Sequence, residues 1–108
     1  MTRTFVIDID GTICSDTAGE YESAVPYENK IAFINTLYDN GDTIIIFTAR
    51  GMGRSGNDRN SAIVNWYEFT RLQLIGWGLK FHELHFGKPA GDFYVDDKNL
   101  TLDNFFAD

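Results

Sequence analysis

The sequence predicts an α/β fold with a mostly parallel sheet, and three observations predict it. Residues 4–9, TFVIDI, and 43–48, TIIIFT, are near-continuous apolar runs of strand length. Strands buried on both faces by helices read this way, whereas strands with one solvated face alternate. Between and after them lie segments with apolar residues at helical spacing, so that the order reads β-α-β-α-β-β-α. Strands separated by helices of this length favour right-handed crossovers and parallel pairing.

The elements follow in order. After the first strand, residues 11–26 are rich in Gly, Ser, Thr, Asp and Glu and read as a loop or flap, with Pro26 placed for the first turn of a helix. That helix carries Ile31, Phe33, Ile34, Leu37 and Tyr38, and Asn40-Gly41 supplies its stop. After the second strand, residues 49–58, ARGMGRSGND, form a loop, and Asp58 or Asn60 is placed to cap the next helix. Ile63, Val64, Trp66, Tyr67, Phe69, Leu72 and Leu74 mark that helix, and Gly76 and Gly78 end it. Residues 79–86, LKFHELHF, alternate as a half-buried strand. GKPAGD is a turn, 93–95 a short last strand, and 99–108 a short final helix.

Composition bounds the function. The chain has 108 residues, 44% hydrophobic and 15% aromatic, which fits one domain spanning 1–108 with a core filled by large side chains. A net charge of −7 disfavours nucleic acid and anionic membranes, but leaves room for a small phosphorylated metabolite if the site brings its own cations. The single cysteine, Cys14, excludes an intrachain disulfide and suits a reducing compartment. There is neither a signal-peptide pattern nor an apolar run of roughly 20 residues. A soluble cytoplasmic protein is expected.

In an open parallel sheet, ligands sit beyond the carboxyl ends of the strands. The polar residues fall there: Asp8 and Asp10 after the first strand, Thr48 and Arg50 after the second, Lys88 after the third, Asp96 and Asp97 after the fourth. Several carboxylates at one spot cannot all stay ionised without a cation. An all-oxygen ligand set, with no second cysteine and no suitably spaced histidine pair, points to Mg²⁺ rather than zinc. Mg²⁺ keeps waters and shares phosphate oxygens, which predicts a phosphorylated substrate. Thr48 can donate to a phosphoryl oxygen, Lys88 can neutralise it, and backbone N–H groups from Ile9 to Gly11 can add donors. One of the paired acids would be a nucleophile forming an aspartyl-phosphate, the other a general acid and base.

Asp8-Ile9-Asp10-Gly11-Thr12 resembles the DxDx(T/V) signature of haloacid dehalogenase-like phosphatases. Thr48 after an apolar strand is similar to that superfamily's second motif, Lys88 to its third, and Asp96-Asp97 to its acidic fourth. The resemblance covers the whole chain. It implies a Rossmann-like three-layer core, Mg²⁺ dependence and phosphomonoester hydrolysis, with Asp8 as nucleophile and Asp10 as general acid/base. It implies that Asp8, the Asp10 carbonyl and Asp96 or Asp97 bind the metal, and leaves open which of the last two does so directly. Members that work as ion pumps lack the second acid, so Asp10 favours a hydrolase. With only a loop and one helix between the first two motifs, the chain resembles the capless branch. FTARGM and VDDKN are similar to small phosphatases of capsule and lipopolysaccharide sugar synthesis, and the Asp-Asp pair more weakly to nucleotide and polynucleotide phosphatases.

Gly11, Thr12, Ala49, Arg50, Arg54 and Arg59 flank these groups and are expected to contact substrate; for the arginines, solvated loop charge is an equal alternative. A phosphate-binding module without turnover is the reading from a different class. His82 and His85 face opposite sides of an alternating strand, which argues against a metal pair, and Cys14 has no histidine to activate it. A capless site is open to water, so the flap or a neighbouring subunit is expected to cover it, which makes a homo-oligomer an expectation.

Overall fold

The structure is a computed structural model that describes residues 2–52, 59–87 and 93–95; for 59, 93 and 94 it describes the backbone. Four strands, β1 (Thr4–Asp8), β2 (Thr43–Thr48), β3 (Glu83–Phe86) and β4 (Phe93–Val95), form one sheet in the order β3-β2-β1-β4. Every pairing is parallel. Helices α1 (Glu28–Asp39) and α2 (Arg59–Gly76) make the β1-to-β2 and β2-to-β3 crossovers. This is a Rossmann-like α/β fold, as expected.

The register explains the apolar runs. Phe5 pairs with Ile44, Ile7 with Ile46 and Val95, and Ile46 with Leu84. These residues, with Ile9 and Phe86, project from one face and form a single cluster with Ile31 and Ile34 of α1 and Ala62 and Leu74 of α2. Both helices therefore cover the same face, as consecutive crossovers in one direction require. Val6 and Ile45 project from the other face, outside that cluster, and are buried as well. The expected final helix, 99–108, lies outside the described residues.

Three boundaries differ from expectation. Helix α1 starts at Glu28, so Pro26 precedes it instead of entering its first turn; the backbone of Tyr27 anchors the start by donating from N–H to the Ile13 carbonyl at 2.9 Å. The third strand is limited to Glu83–Phe86. Leu79 belongs to the end of α2 instead, its N–H bonded to the Leu74 carbonyl, while His82 joins the start of β2 through its backbone N–H, which donates to the Ile44 carbonyl at 2.8 Å, and through its side chain. His82 accepts the Ile44 N–H on Nδ1 at 3.0 Å and stacks on Tyr38. The third difference is at Asn60, which lies inside α2, not at its cap; Asp58 is outside the described residues.

Both helices end in the same hydrogen-bond pattern. Gly41 N–H donates to Tyr38 and Asp42 N–H to Leu37 after α1; Gly78 N–H donates to Ile75 and Leu79 N–H to Leu74 after α2. This six-to-one plus five-to-two arrangement requires a left-handed residue, which Gly41 (φ 99°) and Gly78 (φ 81°) supply. The two ends are joined by Asn35, whose amide donates to the Gly78 carbonyl at 2.9 Å and accepts from Lys80 N–H at 2.8 Å. No described helix is long and apolar enough to cross a membrane.

A methyl group at Gly78 would meet nothing within 4 Å, so substitution there tests backbone strain alone. Gly78→Ala is expected to lower stability by about 1–2 kcal/mol, read as a shift of the urea midpoint without a change in slope.

Candidate active site

The carboxyl ends of β1 and β2 lie side by side, because Asp8 pairs with Phe47. Asp8 closes β1. The chain then turns through Asp10 and Gly11, whose φ of 79° suits glycine, and Cys14 bridges back to Asp10 and across to Pro26. Ser15 N–H to the Val25 carbonyl (3.0 Å) and Val25 N–H to Ser15 Oγ (2.9 Å) pinch the base of the flap. A single-turn 3₁₀ segment, Tyr21–Ser23, carries the flap back over the end of β2.

A cleft of about 250 Å³ opens there, lined by Asp8, Asp10, Asp16, Gly19, Tyr21, Ala49 and Arg50. Its strongest feature is a buried guanidinium. Arg50 is 1% exposed. Its Nε donates to Asp10 Oδ2 and its Nη2 to Asp10 Oδ1, both at 2.9 Å, which is a bidentate ion pair. Its Nη1 donates to Gln73 Oε1 at 2.6 Å and to Thr70 Oγ1 at 3.4 Å. Tyr21 covers one side, with its ring 4.9 Å from the guanidinium carbon. The same tyrosine accepts Gly51 N–H on its hydroxyl at 3.0 Å, accepts Gln73 Nε2–H on its carbonyl at 2.9 Å, and meets Trp66 edge-on.

These contacts place the expected site residues. Asp8, Asp10, Ala49 and Arg50 line one cleft. Arg50 was expected to contact substrate or to be a solvated loop charge; its burial excludes the second, and its side chain lines the cleft while bonding Asp10, Gln73 and Thr70. Thr48 is 1% exposed and its Oγ1 accepts Arg50 N–H at 3.1 Å, which leaves the hydroxyl hydrogen to donate elsewhere. The Gly11 N–H, expected among the backbone donors, bonds the Cys14 carbonyl at 2.9 Å, and the Thr12 N–H bonds the Ile9 carbonyl at 3.1 Å. The Thr12 side chain is buried, with no hydrogen-bond partner for its Oγ1 among the described residues. Lys88, Arg54, Asp96 and Asp97 lie outside the described residues, as does the side chain of Arg59. Val95, which precedes Asp96, pairs with Ile7, which precedes Asp8.

Sequence reasoning missed Tyr21, Thr70 and Gln73. Thr70 and Gln73 are three apart on α2, one turn along the same face as the buried Leu74. Polar residues at that spacing on an apolar helix face mark a buried polar cluster. Tyr21, in a loop, carries no such signal.

His85 Nε2 lies 2.7 Å from Glu83 Oε1 and His82 is spent on the β2 backbone, so neither histidine faces the cleft. Among the described residues no three acidic, histidine or cysteine side chains converge on one ion position. The Cys14 thiol shares its hydrogen between Asp10 Oδ1 (3.6 Å) and the Ile9 carbonyl (3.7 Å). Burial, and secondarily the Asp10 charge, push its pKa up to about 12.

No family profile and no curated protein matches the sequence. Solved structures do. A crystal structure of a structural-genomics target from Vibrio cholerae matches with a TM-score of 0.81 at 23% identity, over 98% of this chain and 89% of that one. The D,D-heptose 1,7-bisphosphate phosphatase from B. bronchiseptica, crystallised with magnesium and phosphate, matches with a TM-score of 0.55 at 12% identity, over 80% of this chain and 50% of that one. The chain has a haloacid dehalogenase-like fold.

The raised pKa makes Cys14 a poor nucleophile. Alkylation by iodoacetamide at pH 8 is expected to be at least about 10²-fold slower in the folded protein than for a free thiol, and to become fast in denaturant. The folded thiol keeps a proton that the unfolded one releases above its ordinary value near 9.0, so this group's contribution to stability is complete below that pH and is lost as pH rises toward about 12. Cys14→Ala should remove that part of the pH dependence of the melting temperature.

Proposed function

We propose that the chain is a Mg²⁺-dependent phosphomonoester hydrolase that acts through an aspartyl-phosphate on a small sugar phosphate. The observation that carries this reading is the cleft itself: Asp8 and Asp10 face one opening at the carboxyl end of a parallel sheet, with Asp10 held by a guanidinium from the neighbouring strand end. The fold likeness to a phosphatase crystallised with magnesium and phosphate supports it.

In this reading a carboxylate oxygen of Asp8 attacks phosphorus. The bond to Asp8 forms as the bond to the leaving oxygen breaks, and that oxygen takes a proton from Asp10. Water then attacks the phosphorus, Asp10 takes the water's proton, and the bond to Asp8 breaks to release inorganic phosphate. The Thr48 hydroxyl and Lys88 hold the phosphoryl oxygens. The donor set fits a hard divalent cation: three carboxylates line the cleft against one guanidinium, which leaves an excess of negative charge carried entirely by oxygen. Asp8 and the Asp10 carbonyl, joined by Asp96 or Asp97, would hold it; when bound it neutralises charge on the phosphoryl group.

A cleft of about 250 Å³ has room for a phosphoryl group and part of a small leaving group, which suits a capless enzyme whose own flap does the covering. A role in polysaccharide precursor synthesis rests on the FTARGM and VDDKN likeness. A second subunit over the site and a cytoplasmic location remain part of this proposal.

A panel of sugar phosphates and mononucleotides, assayed with Mg²⁺ and with EDTA, tests it. Hydrolysis is expected only with Mg²⁺ and fastest on a sugar phosphate. Asp8→Asn should fall to background, and Asp10→Asn by about 10²–10⁴-fold, each with an unchanged circular dichroism spectrum. Phosphate binding without turnover across the whole panel would sink the enzyme reading.

A further inference from the structure

The Arg50 cluster is more elaborate than a structural ion pair needs. One guanidinium, fully buried, is held from three directions: Gln73 and Thr70 of α2 on Nη1, the Tyr21 ring from the flap, and its own backbone N–H on Thr48. The remaining two nitrogens both go to Asp10. A planar fork held this way leaves the carboxylate one orientation, since both oxygens must stay in the guanidinium plane.

The bonds also distinguish the two oxygens of Asp10. Each carboxylate oxygen can accept about two hydrogen bonds. Oδ1 accepts from Arg50 Nη2 at 2.9 Å and from the Cys14 thiol at 3.6 Å. Among the described residues, Oδ2 accepts from Arg50 Nε alone. The oxygen with a position to spare is Oδ2.

The flap enters through Tyr21. Its hydroxyl is tied to Gly51, the residue after Arg50, and its carbonyl to Gln73, the residue that orients Arg50 Nη1. Seating the flap therefore completes the cage around the guanidinium. Lifting Tyr21 would remove its ring from Arg50 and release one partner of Gln73. Gly51 fits the same design: at φ 76°, a side chain there would collide with the Trp66 indole on which Tyr21 packs.

We propose that Arg50 is a positioning residue that, once caged by Tyr21 of the seated flap and by Gln73 and Thr70 of α2, fixes the Asp10 carboxyl with Oδ2 as the proton-carrying oxygen. Flap seating and placement of the acid are then one event. This rests on the phosphatase reading, with Asp10 as general acid.

The test compares two substrates with Mg²⁺ present: p-nitrophenyl phosphate, whose phenolate leaves without a proton, and an alkyl phosphate such as glycerol phosphate, whose alkoxide needs one. The measured quantity is kcat/KM, which covers the steps up to departure of the leaving group. Arg50→Lys keeps the charge and loses the fork. It is expected to lower kcat/KM on the alkyl phosphate by about 30-fold and on the aryl phosphate by less than about 3-fold, mainly through kcat. Tyr21→Phe and Gln73→Met should shift the same ratio in the same direction by about 3-fold, and give the answer if Arg50→Lys does not fold. In an Asp10→Asn background, Arg50→Lys should cost nothing further on the alkyl phosphate, because it acts through Asp10. Equal losses on both substrates in every folded variant, or an additive loss in that background, would overturn the positioning role and leave the phosphatase reading standing. Absence of Mg²⁺-dependent hydrolysis in the unaltered protein would overturn both.

Discussion

The burial of Arg50 is the constraint on which the site depends. A guanidinium does not give up its proton at any ordinary pH, so a buried arginine stays charged and must be compensated where it lies. Asp10 supplies the countercharge, and the amide of Gln73, the hydroxyl of Thr70 and the face of Tyr21 supply the rest of its shell. Removing one partner of such a pair leaves the other buried and unpaired, at a cost of about 3–5 kcal/mol. The β1 turn, the end of β2, the flap and α2 are thus tied together by one charge. The apolar cluster beneath places the elements approximately; the guanidinium sets their register at the cleft.

This arrangement alters how the crowded acids are balanced. Asp8 and Asp10, two apart at a strand end, look in the sequence as though only a metal could make them tolerable. In the structure half of that requirement is met by the protein, since Asp10 is neutralised by Arg50 through two charge-assisted bonds. Asp8 and Asp10 are thereby made chemically different although both line the same cleft.

Much of the fold was legible because its causes are local or periodic. Apolar runs without alternation announced strands buried on both faces, and Asn40-Gly41 announced a helix stop that the left-handed Gly41 then provides. The errors came where a distant partner decides. Nothing near Pro26 tells that Tyr27 N–H will bond Ile13 and begin the helix one residue later. The alternation of LKFHELHF suggested a longer strand, yet Leu79 is claimed by the end of α2, and His82 reaches β2 only at Ile44, by its backbone N–H and its ring. For the site, the strand-end positions of Asp8, Asp10 and Thr48 could be read directly. The burial of Arg50 could not, because arginine in a glycine-rich loop is ordinarily exposed, and its shell comes from residues far along the chain.

The same comparison explains why the flap is more than a cover. In a sheet-end site the catalytic groups sit on turns, where the backbone alone holds them loosely. Gly11 and Thr12 show one remedy: their N–H groups bond within the turn, forward to Cys14 and back to Ile9, which stiffens it. A turn that uses its own amides for rigidity must find its charge complement elsewhere, and Arg50 provides it from the adjacent strand. Because that arginine is in turn enclosed by Tyr21, the flap contributes to the electrostatics of the cleft without placing a charge in it. The packing around the guanidinium therefore depends on a single aromatic residue of the flap, tied to Gly51 by its hydroxyl and to Gln73 by its carbonyl.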